Sequence, residues 1–361
     1  VWETEVEWLK PVLQPNGSDS ASFDNTLELL TRSGRSVHHA LLMMIPEAWE
    51  NSNETDPNVK AFYQFHACLM EPWDGPAAVA FLDGPFVGAA LDRTGLRPAR
   101  YTITNDGLVV LGSEVGLLDI EPERIKENGR LGPGEAILVD LKQGKILKNE
   151  KVKHVSAHGK KYKQWVASEL TSLPPLNPSE EKLASTEGWN SSNIKRDRPG
   201  FLSLQRSMGL TKEDADLVLL PMAIGEKEPV GSMGDDTPLA VLSHRPRLLY
   251  DYFRQMFAQV TNPAIDPLRE SLVMSLNLYL GTRHSVLFET PKHASLLHLE
   301  SPFLFNEELI RIKRIVENNF RVAVISTLFD PLGGGPAGIR SFRQTLDRVI
   351  KEAVSAVSQG N

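Results

Sequence analysis

The chain has 361 residues, of which 41% are hydrophobic and 24% are charged, a balance typical of a globular protein with room for two domains. The formal net charge of -7 and the absence of a basic run argue against a nucleic-acid partner. No apolar run approaches the roughly 20 residues that span a bilayer, so no membrane partner is expected. The single cysteine excludes an internal disulfide and fits a reducing compartment.

The first part of the chain is predicted to form three helices. Residues 23–45 carry apolar side chains at helical spacing and predict two helices, the first following Ser18 and Ser20, which are both candidate caps. The second is predicted for residues 36–45 and ends at a proline, which cannot continue a helix. Residues 59–70 predict the third helix.

Short strands follow these helices. They are predicted at residues 77–82, 86–91, 100–104, 108–112, 136–141 and 145–148. Asp83-Gly84 between the first two apolar runs is a strong hairpin signal. Short connections force antiparallel pairing. Helices followed by an antiparallel meander therefore predict a layered α+β domain over residues 1–165.

The second half of the chain is predicted to be a separate α/β domain. Residues 171–200 are rich in Pro, Ser and Asn and predict a linker or an extended wrapping segment, so we place a linker at 166–200 and the second domain at 201–361. Its predicted elements are a capping box at Thr211–Asp214, helices at 246–259, 267–280 and 338–357, and a buried strand at 322–326.

Three sequence blocks carry a family resemblance. Residues 18–36 read SDSASFDNTLELLTRSGRS, residues 70–101 contain MEPWDGPA and LDRTGLRPARY, and residues 112–116 read GSEVG. These resemble the class II glutamine amidotransferase domain of the glutamate synthase large-chain family. Residues 227–270, which contain KEPVGSMGDDTPLAVLSHRPRLLYDYF, resemble its central domain. The resemblance implies an N-terminal nucleophile hydrolase type αββα sandwich, present in part, followed by an α/β central domain.

The resemblance also implies an activity for a longer parent protein. It would convert L-glutamine, 2-oxoglutarate and two electrons to two L-glutamates in ammonia assimilation. Ammonia would pass through a channel to an FMN domain of the same chain, which also holds a 3Fe-4S cluster, so no cofactor is expected in this segment. The electron donor, ferredoxin or a NAD(P)H-dependent small subunit, stays open, as does the compartment, bacterial cytoplasm or plastid stroma.

The nucleophile of that family is missing from this chain. In the family it is a cysteine at the mature N-terminus, whose own α-amine serves as the base. Position 1 here is Val1, and the sole cysteine, Cys68, is internal. We therefore expect no catalytic residue here and expect an internal fragment that is inactive alone. Cys68 is predicted to be a buried helix residue, because pairing with His66, two positions away, is geometrically poor.

One residue of the glutamine pocket carries over from the family. Asp19 matches the acid that holds the α-ammonium of glutamine, an interaction that a charge-assisted hydrogen bond explains. A helix N-cap is its alternative role, and both roles are compatible. The segment from Asp92 to Pro98 resembles the family loop beside the pocket, which implies that Asp92, Arg93, Gly95 and Arg97 shape and rigidify the site. Gly95 is expected to relieve a strained backbone angle. Arg93 or Arg97 is expected to pair with Asp92 or Glu114.

Other patterns predict structure rather than chemistry. Asn16-Gly17 is interpreted as a turn, Asp235-Asp236 as a capped turn rather than a metal site, and residues 333–338 as a flexible loop, since they lack phosphate-loop spacing. One cysteine and scattered histidines predict no metal site. Two rival hypotheses remain: a non-catalytic scaffold or regulatory protein built from these domains, and another class II amidotransferase, which the 227–270 block argues against.

Overall fold

The computed structural model describes residues 9–175, 198–225, 229, 265–315, 320 and 322–359. The chain divides into two compact units, one formed by Val1–Leu176 together with Ile265–Asn361 and the other by Asn177–Ala264. None of the helices in these described ranges is both long enough and apolar enough to cross a membrane. The domain boundaries given above stay a prediction.

The first unit begins with the three predicted helices, α1 (Asp19–Arg32), α2 (Val37–Met44) and α3 (Pro57–Ala67). Ser18 caps α1, since its side-chain oxygen accepts a hydrogen bond from the Ala21 N–H at 3.2 Å. Asp56 caps α3 in the same way and is followed by Pro57, whose missing N–H costs nothing in the first turn. Local capping signals thus explain where these helices begin.

Two antiparallel sheets follow. The strands are β1 (Ala78–Asp83), β2 (Phe86–Leu91), β3 (Arg100–Thr104), β4 (Val109–Gly112), β5 (Ile125–Arg130), β6 (Ala136–Asp140) and β7 (Lys145–Leu147). One sheet has the order β1-β2-β6-β7 and the other has the order β4-β3-β5. The predicted hairpin is confirmed, with Asp83 opposite Phe86 across the turn. The sequence analysis missed β5.

The four-stranded sheet has a different neighbour on each face. Ala90, Ala136 and Leu138 belong to the core cluster that includes α1, α2 and α3. The alternate residues Ala89 and Ile137 belong to a second cluster, against which Tyr101 and Leu111 of the other sheet pack. Because successive side chains of a strand point to opposite faces, the layers run helices, sheet, sheet.

The first unit continues past the predicted end of its domain. Helices α4 (Asn149–Ala157) and α5 (Tyr162–Glu169) lead to a short strand, β8 (Thr171–Ser172). The first residues of the predicted linker, which begins at 166, therefore belong to α5 and β8. Residues 176–197 lie outside the described residues.

In the second unit, α6 (Arg198–Ser207) is followed by a π-helical segment, Asp214–Leu219, and by α7 (Leu220–Gly225). The predicted capping box is confirmed: the Asp214 carboxylate accepts from the Thr211 N–H at 2.7 Å, and the Thr211 hydroxyl accepts from the Asp214 N–H at 3.0 Å. The predicted helix at 246–259 and the Asp235-Asp236 turn lie outside the described residues.

The C-terminal part of the first unit contains α8 (Pro267–Val273), β9 (Leu278–Leu280), β10 (Leu297–Leu299), α9 (Asn306–Lys313) and α10 (Gly335–Ser358). Strand β10 pairs parallel with β8 and antiparallel with β9. The helix predicted at 338–357 is confirmed by α10, but it begins earlier, at Gly335, so the flexible loop predicted at 333–338 is wrong from Gly335 onward. The helix predicted at 267–280 is correct only as far as Val273, because β9 pairs with β10 instead of extending α8.

The buried strand predicted at 322–326 is wrong. These residues have no regular secondary structure, and Val324 is 72% exposed. The carbonyl of Ser326 accepts a hydrogen bond from the side chain of Arg348 in α10 at 2.7 Å. Its hydrogen-bond donor is therefore a helix side chain instead of the backbone of a neighbouring strand. The hydrophobic run has no partner strand among the described elements, and without one its β propensity does not decide the structure.

Candidate functional site

Asp19 is the first residue of α1, and its side chain is exposed. The alternative role as N-cap is wrong, because Ser18 occupies that position and makes the capping hydrogen bond. No group in the described part of the chain donates a hydrogen bond to the Asp19 carboxylate. The positive end of the helix dipole stabilises an anion here. Asp19 therefore presents at the surface of the unit a carboxylate that no described residue engages.

The loop after β2 is built around the buried side chain of Asp92. Its carboxylate accepts hydrogen bonds from the Ala77 N–H at 3.1 Å, from the Thr94 N–H at 2.8 Å and from the Thr94 hydroxyl. Its backbone carbonyl accepts from the N–H groups of Gly95 and Gly134. Asp92 therefore fixes the loop to β1 and to the turn before β6.

The expected pairing of Arg93 or Arg97 with Asp92 or Glu114 is wrong. Arg93 instead approaches Asp74, with 3.2 Å between Nη2 and Oδ1. The Asp92 carboxylate instead accepts hydrogen bonds from Ala77 and Thr94. Arg97 and Glu114 are both exposed.

Gly95 has the strained backbone angle that the sequence predicts. Its φ is 58°, in the left-handed region, and a Cβ atom at this position would lie 2.6 Å from the Cα atom of Pro133. A side chain would therefore both strain the backbone and overlap the neighbouring turn. The carbonyl of the preceding residue, Thr94, accepts a hydrogen bond from Arg269 of α8, so the C-terminal part of the unit holds this loop too.

Of the predicted site residues, only Arg93 lines a cavity of about 220 Å³, whose wall also includes Glu50, Tyr63, His66 and Tyr279. Burial raises the pKa of Glu50, an effect that nearby hydrogen bonds and Arg93 oppose. Asp19 does not line this cavity, so the structure does not bring it together with the loop in one pocket.

A buried carboxylate that the sequence analysis missed lies at the centre of the first unit. The side chain of Glu289 is 1% exposed. Its Oε1 atom is 2.7 Å from Nε of Arg35, and its Oε2 atom is 3.0 Å from Nζ of Lys160. Tyr162 donates its hydroxyl hydrogen to Oε2 at 2.8 Å. Two cations and a hydroxyl thus compensate the desolvation of one anion.

Two histidines complete this arrangement, which we call the Glu289 cluster (Glu289, Arg35, Lys160, Tyr162, His39 and His66). Nε2 of His39 and of His66 lie 3.1 and 3.4 Å from Oε1. His66 donates from Nδ1 to the Phe62 carbonyl at 2.7 Å, which leaves its Nε2 to accept from Nε2 of His39 at 2.8 Å.

Charge decides what this cluster can do. Burial lowers the pKa of His39 to about 4, so the imidazole is neutral at pH 7. Burial would raise the pKa of Glu289, but the imidazoles of His39 and His66 beside its carboxylate outweigh that effect and hold the pKa below its usual range. The ligand atoms of these three residues lie within 4.8 Å of one another, a spacing compatible with a metal ion. However, a divalent ion would add charge beside Arg35 and Lys160, so we interpret the cluster as an ion-pair network.

Cys68 is buried, as predicted, with an exposed fraction of 1%. Burial raises the pKa of its thiol to about 12, and the thiol donates to the Gln64 carbonyl at 3.3 Å. His66 makes no hydrogen bond with it, since both of its ring nitrogens are engaged in the Glu289 cluster and with Phe62. Cys68 is therefore a protonated and inert thiol at neutral pH.

Comparison with known proteins places these features in a family. Residues 1–165 match the family model of class-II glutamine amidotransferases, and residues 203–361 match that of the glutamate synthase central domain. The chain is 43% identical over 360 residues to ferredoxin-dependent glutamate synthase 2 of Synechocystis sp., which covers 99% of this chain and 22% of that protein. The chain belongs to the glutamate synthase family.

Other glutamate synthases show the same pattern. The NADH enzyme of Schizosaccharomyces pombe is 41% identical over 362 residues, which cover 99% of this chain and 17% of that protein. The NADPH large chain of Bacillus subtilis is 38% identical over 356 residues, 99% of this chain and 22% of that protein. The chain thus spans about a fifth of the length of the curated relatives it matches. The family resemblance seen in the sequence is confirmed.

Proposed function

We propose that this chain forms part of the glutamine pocket of a glutamate synthase large chain and the scaffold that adjoins it. The observation that carries the proposal is the match of two family models in order along one chain, over residues 1–165 and 203–361. The layer order of helices, sheet and sheet supports an αββα sandwich for the amidotransferase domain. A different class II amidotransferase is disfavoured, because its second domain would not match the central-domain model.

The parent enzyme, in this proposal, converts L-glutamine and 2-oxoglutarate to two L-glutamates with two electrons. Its amidotransferase domain releases ammonia, and a channel carries the ammonia to an FMN site. This segment alone is inactive, because its one cysteine, Cys68, is internal and buried and has no α-amine to serve as base. The relatives include ferredoxin-dependent, NADH and NADPH glutamate synthases, some bacterial and some chloroplastic, so the electron donor and the compartment stay open.

The iron–sulfur cluster of the parent does not fit the residues of this chain. Such clusters are held by several cysteine thiolates, and this chain has one cysteine, with a thiol pKa raised by burial. We therefore assign the 3Fe-4S cluster, and with it the FMN, to another part of the parent enzyme.

Asp19 is the residue of this segment that we assign to substrate. Its exposed carboxylate lies at the start of α1 and has no hydrogen-bond donor among the described residues, so a ligand ammonium can approach it. An ammonium–carboxylate contact is a charge-assisted hydrogen bond and is among the stronger polar contacts in proteins. Asp92, Arg93, Gly95 and Arg97 shape the loop after β2 and take no part in bond chemistry in this proposal.

The test is Asp19→Asn and Asp19→Ala in the complete enzyme, assayed with glutamine and separately with ammonium chloride as the nitrogen source. Loss of a charged hydrogen bond is expected to raise KM for glutamine about tenfold to a hundredfold. The ammonium-dependent rate should stay unchanged, because that route bypasses the glutamine pocket. Asp24→Ala, an exposed acid on the same helix, is the matched control.

Equal losses with both nitrogen sources would contradict this assignment. They would indicate that Asp19 supports the helix rather than the substrate, since an acid in the first turn also interacts with the helix dipole.

A further inference from the structure

The Glu289 cluster connects parts of the chain that are far apart in sequence. Glu289 belongs to the segment matched by the central-domain model, whereas Arg35, Lys160 and Tyr162 belong to the segment matched by the amidotransferase model. All of them lie in the first compact unit. We propose that Glu289 is a positioning residue for glutamine use. It acts through Arg35, and the element whose position it affects is α1, the helix that carries Asp19. This inference rests on the function proposed above.

Arg35 is the link between Glu289 and α1. Its guanidinium uses two nitrogens in two directions: Nε donates to Oε1 of Glu289 at 2.7 Å, and Nη1 donates to the hydroxyl of Ser33 at 3.2 Å. Its side chain is 6% exposed, so both contacts are shielded from water. A planar guanidinium holds two such acceptors in fixed relative positions, which the single ammonium of a lysine cannot do.

Ser33 is the C-cap of α1 and is tied to the last turn of that helix. Its N–H contacts the carbonyls of Leu29 and Thr31, and its hydroxyl donates to the Leu30 carbonyl at 2.7 Å. Glu289, Arg35 and Ser33 therefore form a continuous buried or half-buried chain of hydrogen bonds that ends on the C-terminal turn of α1. The position of this turn is fixed by a residue more than 250 positions away.

The helix transmits this constraint because it behaves as a rigid rod. Its 14 residues span about 21 Å at 1.5 Å per residue. Leu27 and Leu30, its buried residues, lie in the C-terminal half, and Asp19 lies at the exposed end. A tilt of about 5° about Ser33 moves the far end by roughly 2 Å over such a length. A misplacement of about 1 Å is enough to change a reaction rate severely.

The experiment uses three variants of the complete enzyme. Glu289→Gln keeps the volume of the side chain but removes the charge that orders Arg35. Arg35→Lys keeps the charge but cannot contact Glu289 and Ser33 together. Glu28→Gln is the matched control, because it removes an exposed carboxylate from α1 that, among the described residues, pairs only with Arg32 at 3.5 Å. Each variant is assayed with glutamine and with ammonium chloride, and its thermal midpoint is recorded.

We expect Glu289→Gln and Arg35→Lys to raise KM for glutamine by roughly three- to thirtyfold, the range of couplings carried through packed networks. The rate with ammonium chloride should stay within about twofold, because that route does not need Asp19. Glu28→Gln should match the unaltered enzyme in both assays.

Two results would overturn the inference. One is an unchanged KM for glutamine in variants whose thermal midpoint has fallen, which would make the cluster purely stabilising. The other is a parallel loss with both nitrogen sources. The Asp19 variants distinguish failure of the positioning role from failure of the proposed function. A normal KM for glutamine in Asp19→Asn would refute the proposed function itself. A raised KM in Asp19→Asn together with a normal KM in Glu289→Gln would refute the positioning role alone.

Discussion

Gly95→Ala tests the geometry of the loop that follows the hairpin. Gly95 has a φ of 58°, and an added Cβ would lie 2.6 Å from Cα of Pro133, 2.8 Å from its Cγ and 2.9 Å from its Cβ. The first of these is a backbone atom, so the overlap cannot be relieved by a rotamer change. The substitution therefore combines backbone strain with a steric clash.

The two costs can be worked out separately. A left-handed backbone costs a residue with a Cβ roughly 1–2 kcal/mol, and the lower entropy of the unfolded alanine chain offsets about 0.4–1 kcal/mol of this. Carbon atoms pack best at about 3.5–4.0 Å, so the clash closes that distance by about 1 Å, and such overpacking costs roughly 1–3 kcal/mol. The expected destabilisation of Gly95→Ala is roughly 1–4.5 kcal/mol.

Gly84→Ala isolates the clash. Gly84 has nearly the same φ, 55°, but no atom lies within 4 Å of its added Cβ. Urea unfolding of the 361-residue chain, followed by tryptophan fluorescence, gives the free energy of unfolding of both variants. Gly84→Ala should lose about 1 kcal/mol or less, and Gly95→Ala should lose about 1–3 kcal/mol more.

Equal losses in the two variants would refute this reasoning. They would mean that the turn containing Pro133 withdraws from the added methyl group at no cost, and hence that the loop is not held against it.

Two further predictions concern buried charges. The pKa of His39 is lowered from 6.5 to about 4, so the unfolded chain takes up a proton first as pH falls. The contribution of His39 to the free energy of unfolding is fully present above pH 6.5. It is lost as pH falls from about 6.5 to 4, and the loss is up to about 3 kcal/mol. Thermal midpoints measured across this range should fall on acidification and should fall less in His39→Gln; an equal slope in that variant would contradict the assignment. Lys153→Met breaks the ion pair with Glu47, which has 2.7 Å between Nζ and Oε2 and side chains that are 5% and 18% exposed. Removing one partner of a buried pair should lower the free energy of unfolding measured in urea by about 3 kcal/mol. The matched Lys148→Met change, at an exposed ion pair, should have a much smaller effect. Similar losses in the two variants would count against this explanation.

The parts of the fold that the sequence predicts are those with local signals. The hairpin follows from Asp83-Gly84 between two apolar runs, and the start of α1 follows from the cap at Ser18. Strand β5 was missed because it is polar along one face and obtains its partner, β3, from a residue range about 25 positions earlier. The C-terminal part of the predicted helix at 267–280 is a strand because His298 of β10 lies opposite Tyr279, a tertiary pairing that no local pattern encodes.

The candidate site likewise has a part that the sequence predicts and a part that it does not. Gly95 was predicted from its local context, and its φ agrees with that prediction. The Glu289 cluster was not found, because Arg35, Lys160 and Glu289 have no fixed spacing and each resembles an ordinary surface charge in the sequence. The only signal available was His38-His39 at the start of α2, which the sequence alone does not distinguish from a partly exposed helix end.

The parallel pairing of β8 with β10 sets the order in which the unit can be completed during synthesis. Leu297 pairs with Thr171 but stands 126 positions later in the chain. A ribosome that adds about 5–20 residues per second needs roughly 6–25 s to cover that interval. For most of this time the nascent chain already contains Arg35 and Lys160 but not the carboxylate of Glu289. The emerging amidotransferase segment therefore carries the Arg35 cation, which is 6% exposed in the finished unit, before its carboxylate partner has been made.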